Sequence, residues 1–132
     1  MKKKHPNLRT KTIALSLIKS CRPKQWTKNI LIFAVILFSF IFNKYVFINC
    51  LLGFISFCFI SSSIYLFNDI KDISKDKLHP QKKLRPIPSG NLPIKTALKS
   101  SIFFAFIGII FGYLISYKFL IIIFIYVTIQ IA

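Results

Sequence analysis

The stretch "VFINCLLGFISFCFISSSIYLFNDIKDISKD", Val46 to Asp76, decides how the chain folds. From Val46 to Phe67 it holds no charged side chain. As a helix rising about 1.5 Å per residue, that run is long enough to cross a hydrocarbon core about 30 Å thick. Charge then arrives at once. All three acidic residues of the 132-residue chain, Asp69, Asp72 and Asp76, lie in this short window, in a chain whose nineteen Lys and Arg give a formal charge of +16.

Three more apolar blocks flank this one, at about residues 26–42, 97–116 and 119–132. The chain is 55% hydrophobic, with fifteen Phe and only four Gly, and the apolar residues come in blocks rather than with an amphipathic period. A soluble domain of this size cannot bury that much apolar surface, so the expected fold is an all-α integral membrane bundle with four spans, at about 26–42, 46–67, 97–116 and 119–132. Trp26 suits the membrane interface and Lys28 can snorkel to the headgroups. The last block, read as a helix, reaches only about 21 Å, so the chain is expected to be a piece cut within its fourth span. Residues 1–25 form a basic N-terminal segment, with residues 10–20 expected as an amphipathic stretch on the membrane surface.

Charge placement predicts the orientation. Nine Lys/Arg lie in residues 1–28 and eight between Asn68 and Lys99, leaving only Lys44 and Lys118 for the other side. This bias puts the N-terminus and the 68–96 loop in the cytoplasm. The same bias accounts for the basic surface without nucleic acid, which would call for interleaved aromatics. The shortness of "IALSLI" and Lys19 near the would-be cleavage point speak against a secretory leader. Cys21, Cys50 and Cys58 are odd in number, with two inside the second span, which fits neither a disulfide framework nor a zinc site. His5 and His79 are isolated. No internal repeat is visible.

If the second span continues as one helix past Phe67, a turn of about 100° per residue gathers Asn68, Asp69, Asp72 and Asp76 on about a quarter of its circumference. Ile70 and Ile73 then point to the other side. Clustered carboxylates need positive charge among them, and two sources are open. Lys71 and Lys75 can pair with them at the surface, each pair contributing about 0–1 kcal/mol. Alternatively, the oxygens can hold a hard divalent cation such as Mg²⁺, which binds through carboxylates and substrate phosphates and stabilises a departing diphosphate. Beyond the acids, "HPQKKLRPIPSGNLP" contains prolines and a glycine that stop a helix, and reads as an ordered loop at the membrane surface. Lys82, Lys83 and Arg85 are its candidate anion contacts, Arg85 being held before Pro86.

"NDIKDISKD" followed by "HPQKKLRPIPSG" resembles the first aspartate-rich motif of the UbiA superfamily of membrane prenyltransferases, N-D-x-x-D-x-x-x-D, with its Arg-Pro-x-x-Ser-Gly loop. "RPKQWTKN", Arg22 to Asn29, is similar to the entry into the first span in the decaprenyl-phosphate phosphoribosyltransferase branch. The resemblance covers about residues 18–132. It implies an all-helical bundle of about nine spans around a cavity open to the cytoplasm and to lipid, of which four are present here. It also implies two facing aspartate-rich motifs that bind a diphosphate through Mg²⁺, with only the first in this chain. A missing C-terminal half or partner chain would supply the second, so the piece alone is expected to be inactive.

The implied reaction moves 5-phosphoribose from phosphoribosyl pyrophosphate to a polyprenyl phosphate such as decaprenyl phosphate, for a cell-envelope polysaccharide precursor. The implied roles are catalytic for Asp69, Asp72 and Asp76, metal-binding for Asn68, Asp69, Asp72 and Asp76, and substrate-binding for Lys24, Gln25, Lys28, Lys82 and Arg85. Two alternatives stay open: a family member that transfers a prenyl group from a prenyl diphosphate to an aromatic acceptor, and a non-enzymatic membrane protein whose basic face binds anionic lipid. A CDP-alcohol phosphotransferase is excluded, because its D-G-x-x-A-R start is absent.

Overall fold

The computed structural model describes residues 6–131, with the side chains of 6–11, 35 and 36 left aside; the first three lysines and His5 of the basic N-terminus, and Ala132, lie outside the described residues. All regular structure among these is helical. The helices are α1 (Pro6–Ser20), α2 (Ala34–Ser39), α3 (Lys44–Lys71), α4 (Ile73–Leu78), α5 (Ile94–Ile115) and α6 (Tyr117–Ile131), with 3-10 segments at Pro23–Phe33 and Lys82–Leu84.

α3 starts where Asn43 caps it, its side-chain oxygen accepting the Tyr45 N–H at 2.9 Å; Asn is among the best residues for this role. The expected second span, 46–67, lies within this helix. α5 begins after Pro93, which has no N–H to leave unsatisfied. It ends at Ser116, whose backbone is extended and whose hydroxyl accepts the Phe119 N–H at 3.2 Å, so one serine stops α5 and caps α6. α3 and α5 are long and apolar enough to cross a membrane, and α6 is a shorter apolar helix.

α3 and α5 run antiparallel and pack closely. Gly108 is needed at the contact: a Cβ there would stand 2.7 Å from Ile60 Cγ1 and 3.0 Å from the Ser56 carbonyl oxygen. The approach lets the Ser56 hydroxyl donate to the Gly108 carbonyl at 2.6 Å. One heptad along, Ser63 Oγ donates to the Ser101 carbonyl at 2.7 Å and Ser101 Oγ to the Ser63 carbonyl at 2.9 Å. Small residues that bring backbones together and serines that bond across are the usual adhesive of helices in lipid, where apolar burial supplies little drive. The outer faces of α5 and α6 keep large apolar side chains exposed, among them Phe103, Phe106, Tyr113 and Phe124.

An apolar cluster closes the charged end of α3. Leu66, Ile87, Leu92, Ala97 and Cys21 are buried in it, with Ile13, Leu17, Trp26, Ile70, Ile73 and Phe104 packed around them. The proline-rich loop is therefore part of the core. It is held by Ser89 N–H to the Arg85 carbonyl (3.0 Å), Leu92 N–H to the Pro86 carbonyl (2.9 Å) and Gly90 N–H to the Ile87 carbonyl (3.1 Å). Gly90 sits at φ +82, a left-handed turn position that disfavours a side chain.

Two expectations need correcting. The span expected at 26–42 is not one α-helix: residues 23–33 are 3-10 and only Ala34–Ser39 is α. The tighter register is set at the start, where Pro23 lacks an N–H and Gln25 N–H bonds to the Arg22 carbonyl three residues back. The helix carrying the acids also does not continue. It breaks at Asp72, at φ −96 and ψ 13, and α4 restarts at Ile73. Ile70 and Ile73, on either side of the break, both pack against the same apolar cluster.

Candidate functional site

The site is assembled from three separated segments that meet at the end of α3. Asp69 is on its last turn, Asp76 is on α4, Arg22 joins α1 to the 3-10 segment, and Arg85 opens the proline loop. Arg22 Nη2 lies 2.7 Å from Asp69 Oδ1. Arg85 Nη1 lies 3.4 Å from the same oxygen and 3.3 Å from Asp76 Oδ2. Both carboxylates are nearly enclosed, with side chains 4% and 5% exposed, whereas the two guanidinium groups are about a third exposed at 30% and 33%.

The pairing follows from burial. Two carboxylates taken out of water side by side repel each other and lose hydration, so each requires a positive partner. Arginine suits the position because its planar fork presents several donors and one guanidinium can reach two carboxylates. Arg22 has a second support, its guanidinium carbon lying 4.7 Å over the Tyr65 ring. Its backbone is at φ 52 and ψ 65, a left-handed conformation that side-chain-bearing residues seldom take, least of all before proline. Arg85, also before a proline, is in the extended region at φ −61 and ψ 151, which that position favours.

"RPKQWTKN" fastens onto α3 like a ladder. Below the Arg22 pair, Trp26 Nε1 donates to Ser62 Oγ at 3.0 Å and Asn29 Nδ2 to Cys58 Sγ at 3.6 Å. The stretch thus meets the acid-bearing helix through Arg22, Trp26 and Asn29. Lys24 and Lys28 are exposed and Gln25 is half-buried, and among the described residues the three side chains form no hydrogen bond or ion pair. Lys82 is exposed too. Its N–H and that of Gln81 donate to His79 Nδ1 at 3.1 Å each, so the histidine expected to be an isolated loop residue organises the turn before Arg85. Burial pushes the Cys21 thiol above its ordinary range, which keeps it protonated and unsuited to nucleophilic chemistry.

The expected acid set is only partly brought together. Asp69 and Asp76 share Arg85, while Asn68 and Asp72 are half-buried at the helix break and their side chains join neither pair. Lys71 and Lys75 form no ion pair with the acids among the described residues; arginines replace them. A hard divalent cation fits the chemistry of these oxygen donors but not their arrangement. Among the described residues, no three His, Cys, Asp or Glu stand close enough to hold a metal ion, and one oxygen of each buried acid, Asp69 Oδ1 and Asp76 Oδ2, is paired with guanidinium. Sequence reading missed Arg22 as the partner of Asp69. The signal was present, because Arg22-Pro23 repeats the Arg85-Pro86 pattern.

Comparison with known proteins agrees with this architecture. The model of the UbiA prenyltransferase family matches residues 30–132. The chain is 43% identical over 99 residues to the decaprenyl-phosphate phosphoribosyltransferase of Corynebacterium glutamicum, covering 73% of this chain and 29% of that protein. It is 34% identical over 127 residues to the protein of that name from Mycolicibacterium smegmatis, covering 92% of this chain and 40% of that protein. A 78-residue match, 35% identical, is to nodulation protein NoeC of Azorhizobium caulinodans, covering 59% of this chain and 25% of that protein. The chain spans less than half the length of each of these relatives.

Proposed function

Because the chain belongs to the UbiA prenyltransferase family, an all-helical membrane fold, we propose that its protein is a membrane transferase that moves 5-phosphoribose from phosphoribosyl pyrophosphate to a polyprenyl phosphate. An oxygen of the lipid phosphate attacks the anomeric carbon. The bond from that carbon to the diphosphate breaks, and diphosphate leaves with the electron pair. Decaprenyl phosphate is the acceptor suggested by the names of the relatives above. A cell-envelope polysaccharide precursor is the corresponding use.

The observation that carries this reading is the buried pair Asp69/Asp76 held beside two arginines at the polar end of an apolar helix. It is a charged, partly enclosed place where a phosphorylated sugar and a lipid headgroup can meet. Asp69, Asp72 and Asp76 are the proposed catalytic acids. Lys24, Lys28, Lys82 and Arg85 offer positive charge to phosphate oxygens, and Gln25 an amide. Mg²⁺ is the proposed ion, with Asn68, Asp69, Asp72 and Asp76 as its oxygen donors; in the arrangement described above these are not gathered around one point. The N-terminus and the 68–96 loop are proposed to face the cytoplasm, on the strength of the lysine and arginine bias.

The family's own description favours a second reading, prenyl transfer from a prenyl diphosphate to an aromatic acceptor. Membranes containing the full-length protein, supplied with radiolabelled phosphoribosyl pyrophosphate and polyprenyl phosphate, separate the two. Label in the lipid fraction supports phosphoribosyl transfer. No label there, with label moved from a prenyl diphosphate instead, supports the second reading.

A further inference from the structure

The side of α5 turned away from α3 carries both charge and apolar surface. Ala97, Ser101, Gly108 and Gly112 are buried and mark the inner side of the helix. At about 100° per residue, Lys95, Lys99, Phe106 and Tyr113 fall within about 40° of one another on the opposite side. All four are exposed, as is Ile102 beside them. α5 has no charged residue after Lys99. From there to its end at Ile115 it rises about 24 Å, most of the thickness of a hydrocarbon core of about 30 Å. Lys99 therefore stands at the edge of the apolar stripe, with Lys95 one turn farther out, at the level of lipid headgroups.

The protein offers these lysines no anion. Asp69, Asp72 and Asp76 are the acidic residues of the chain, and among the described residues the ion pairs they form are with Arg22 and Arg85. Residues four apart on a helix are neighbours, about 5–6 Å between Cβ atoms, so one phosphate can lie between the two ammonium groups. The geometry points to Lys95 and Lys99 as a headgroup site for an anionic phospholipid of the bilayer, with its acyl chains along Ile102, Phe106 and Tyr113. Two requirements meet here. The lysines select an anion, and the apolar stripe continuing from them selects an anion attached to hydrocarbon. A soluble phosphate compound meets only the first. A zwitterionic headgroup brings its own cation and gains less from the lysines. The site is on the far side of α5 from the helix that carries Asp69, so it is separate from the acid and arginine cluster.

The test uses full-length protein in nanodiscs of phosphatidylglycerol and phosphatidylcholine in equal amounts and with matched chains. After release into detergent, retained lipid is counted by native mass spectrometry. Wild type is expected to retain phosphatidylglycerol in preference. Lys95→Gln with Lys99→Gln is expected to lower that preference about tenfold or more, the scale of two lysines at an anionic membrane surface. Lys95→Arg with Lys99→Arg keeps both charges and is expected to keep the preference. Lys77→Gln with Lys83→Gln removes two exposed lysines off this stripe and is expected to leave it unchanged. No preference in wild type, or an equal loss in the two glutamine pairs, overturns the inference. Added decaprenyl phosphate is expected to leave the bound phosphatidylglycerol in place. Its displacement would assign this face to a polyprenyl phosphate instead, and overturns the inference too.

Discussion

Arg22 and Asp69, 47 positions apart in the sequence, meet at 2.7 Å. That contact fixes the N-terminal connector to the last turn of the apolar helix and supplies the charge that permits a carboxylate to be buried there. The strained backbone at Arg22 is therefore maintained by what its side chain does.

Replacing Arg22 separates these two effects. Arg22→Ala removes the guanidinium and is expected to destabilise the protein by about 2 kcal/mol, a partly exposed partner lowering the full cost of an unpaired buried acid. Arg22→Gly removes the same group but suits φ 52, so it is expected to be less damaging by about 1 kcal/mol. Unfolding midpoints in detergent check the order. Equal midpoints would show that the left-handed backbone is not strained.

At the α3/α5 contact, Gly108→Ala places a methyl group 3.0 Å from a backbone oxygen that cannot swing aside, and 2.7 Å from Ile60. Overpacking of this kind costs about 1–3 kcal/mol, against about 1 kcal/mol gained from the better helix former. Net destabilisation is expected. The double substitution Gly108→Ala with Ile60→Val should recover part of it, as measured by resistance to unfolding in sodium dodecyl sulfate.

The reciprocal serines offer a second test of this contact. Ser63→Ala and Ser101→Ala each remove one hydroxyl-to-carbonyl bond between α3 and α5. Each loss is expected to cost about 0.6 kcal/mol, the scale found for such bonds within membranes. Unfolding resistance unchanged by either substitution would mean that close packing, without these bonds, joins the two helices here.

Cys21 gives a pH-dependent readout. Its pKa is raised by burial, so less thiolate is present at a given pH than in a free thiol. In the single-cysteine protein, its alkylation rate by iodoacetamide should still be rising at a pH where that of a short cysteine peptide has levelled. The two profiles levelling together would contradict the buried position between Leu66 and Trp26.

The helical membrane character was legible because block hydrophobicity needs no partner: Val46–Phe67 is long enough by itself. The acid window stood out as a candidate site for a similar reason, since all three carboxylates are local in sequence. Its internal geometry was not legible. A continuous helix would put Asn68, Asp69, Asp72 and Asp76 on one arc, but the helix breaks at Asp72. Lysines at helical spacing looked like the partners of the acids, yet the pairs formed are with arginines 47, 16 and 9 positions away. Such contacts depend on how segments dock, which local periodicity does not encode. The two Arg-Pro dipeptides were the available clue, and only Arg85 was taken from it.

The central claim, that the buried Asp69/Asp76 pair belongs to a phosphoribosyl-transferring site, is tested most directly by transfer of label from radiolabelled phosphoribosyl pyrophosphate into polyprenyl phosphate. Membranes carrying the full-length protein are compared with Asp69→Asn and Asp76→Asn variants inserted at equal level. The account predicts label in the lipid fraction for wild type and at least about a hundredfold less for each variant, the scale of losing a preorganised electrostatic group. Lipid labelling unchanged by both substitutions would contradict it.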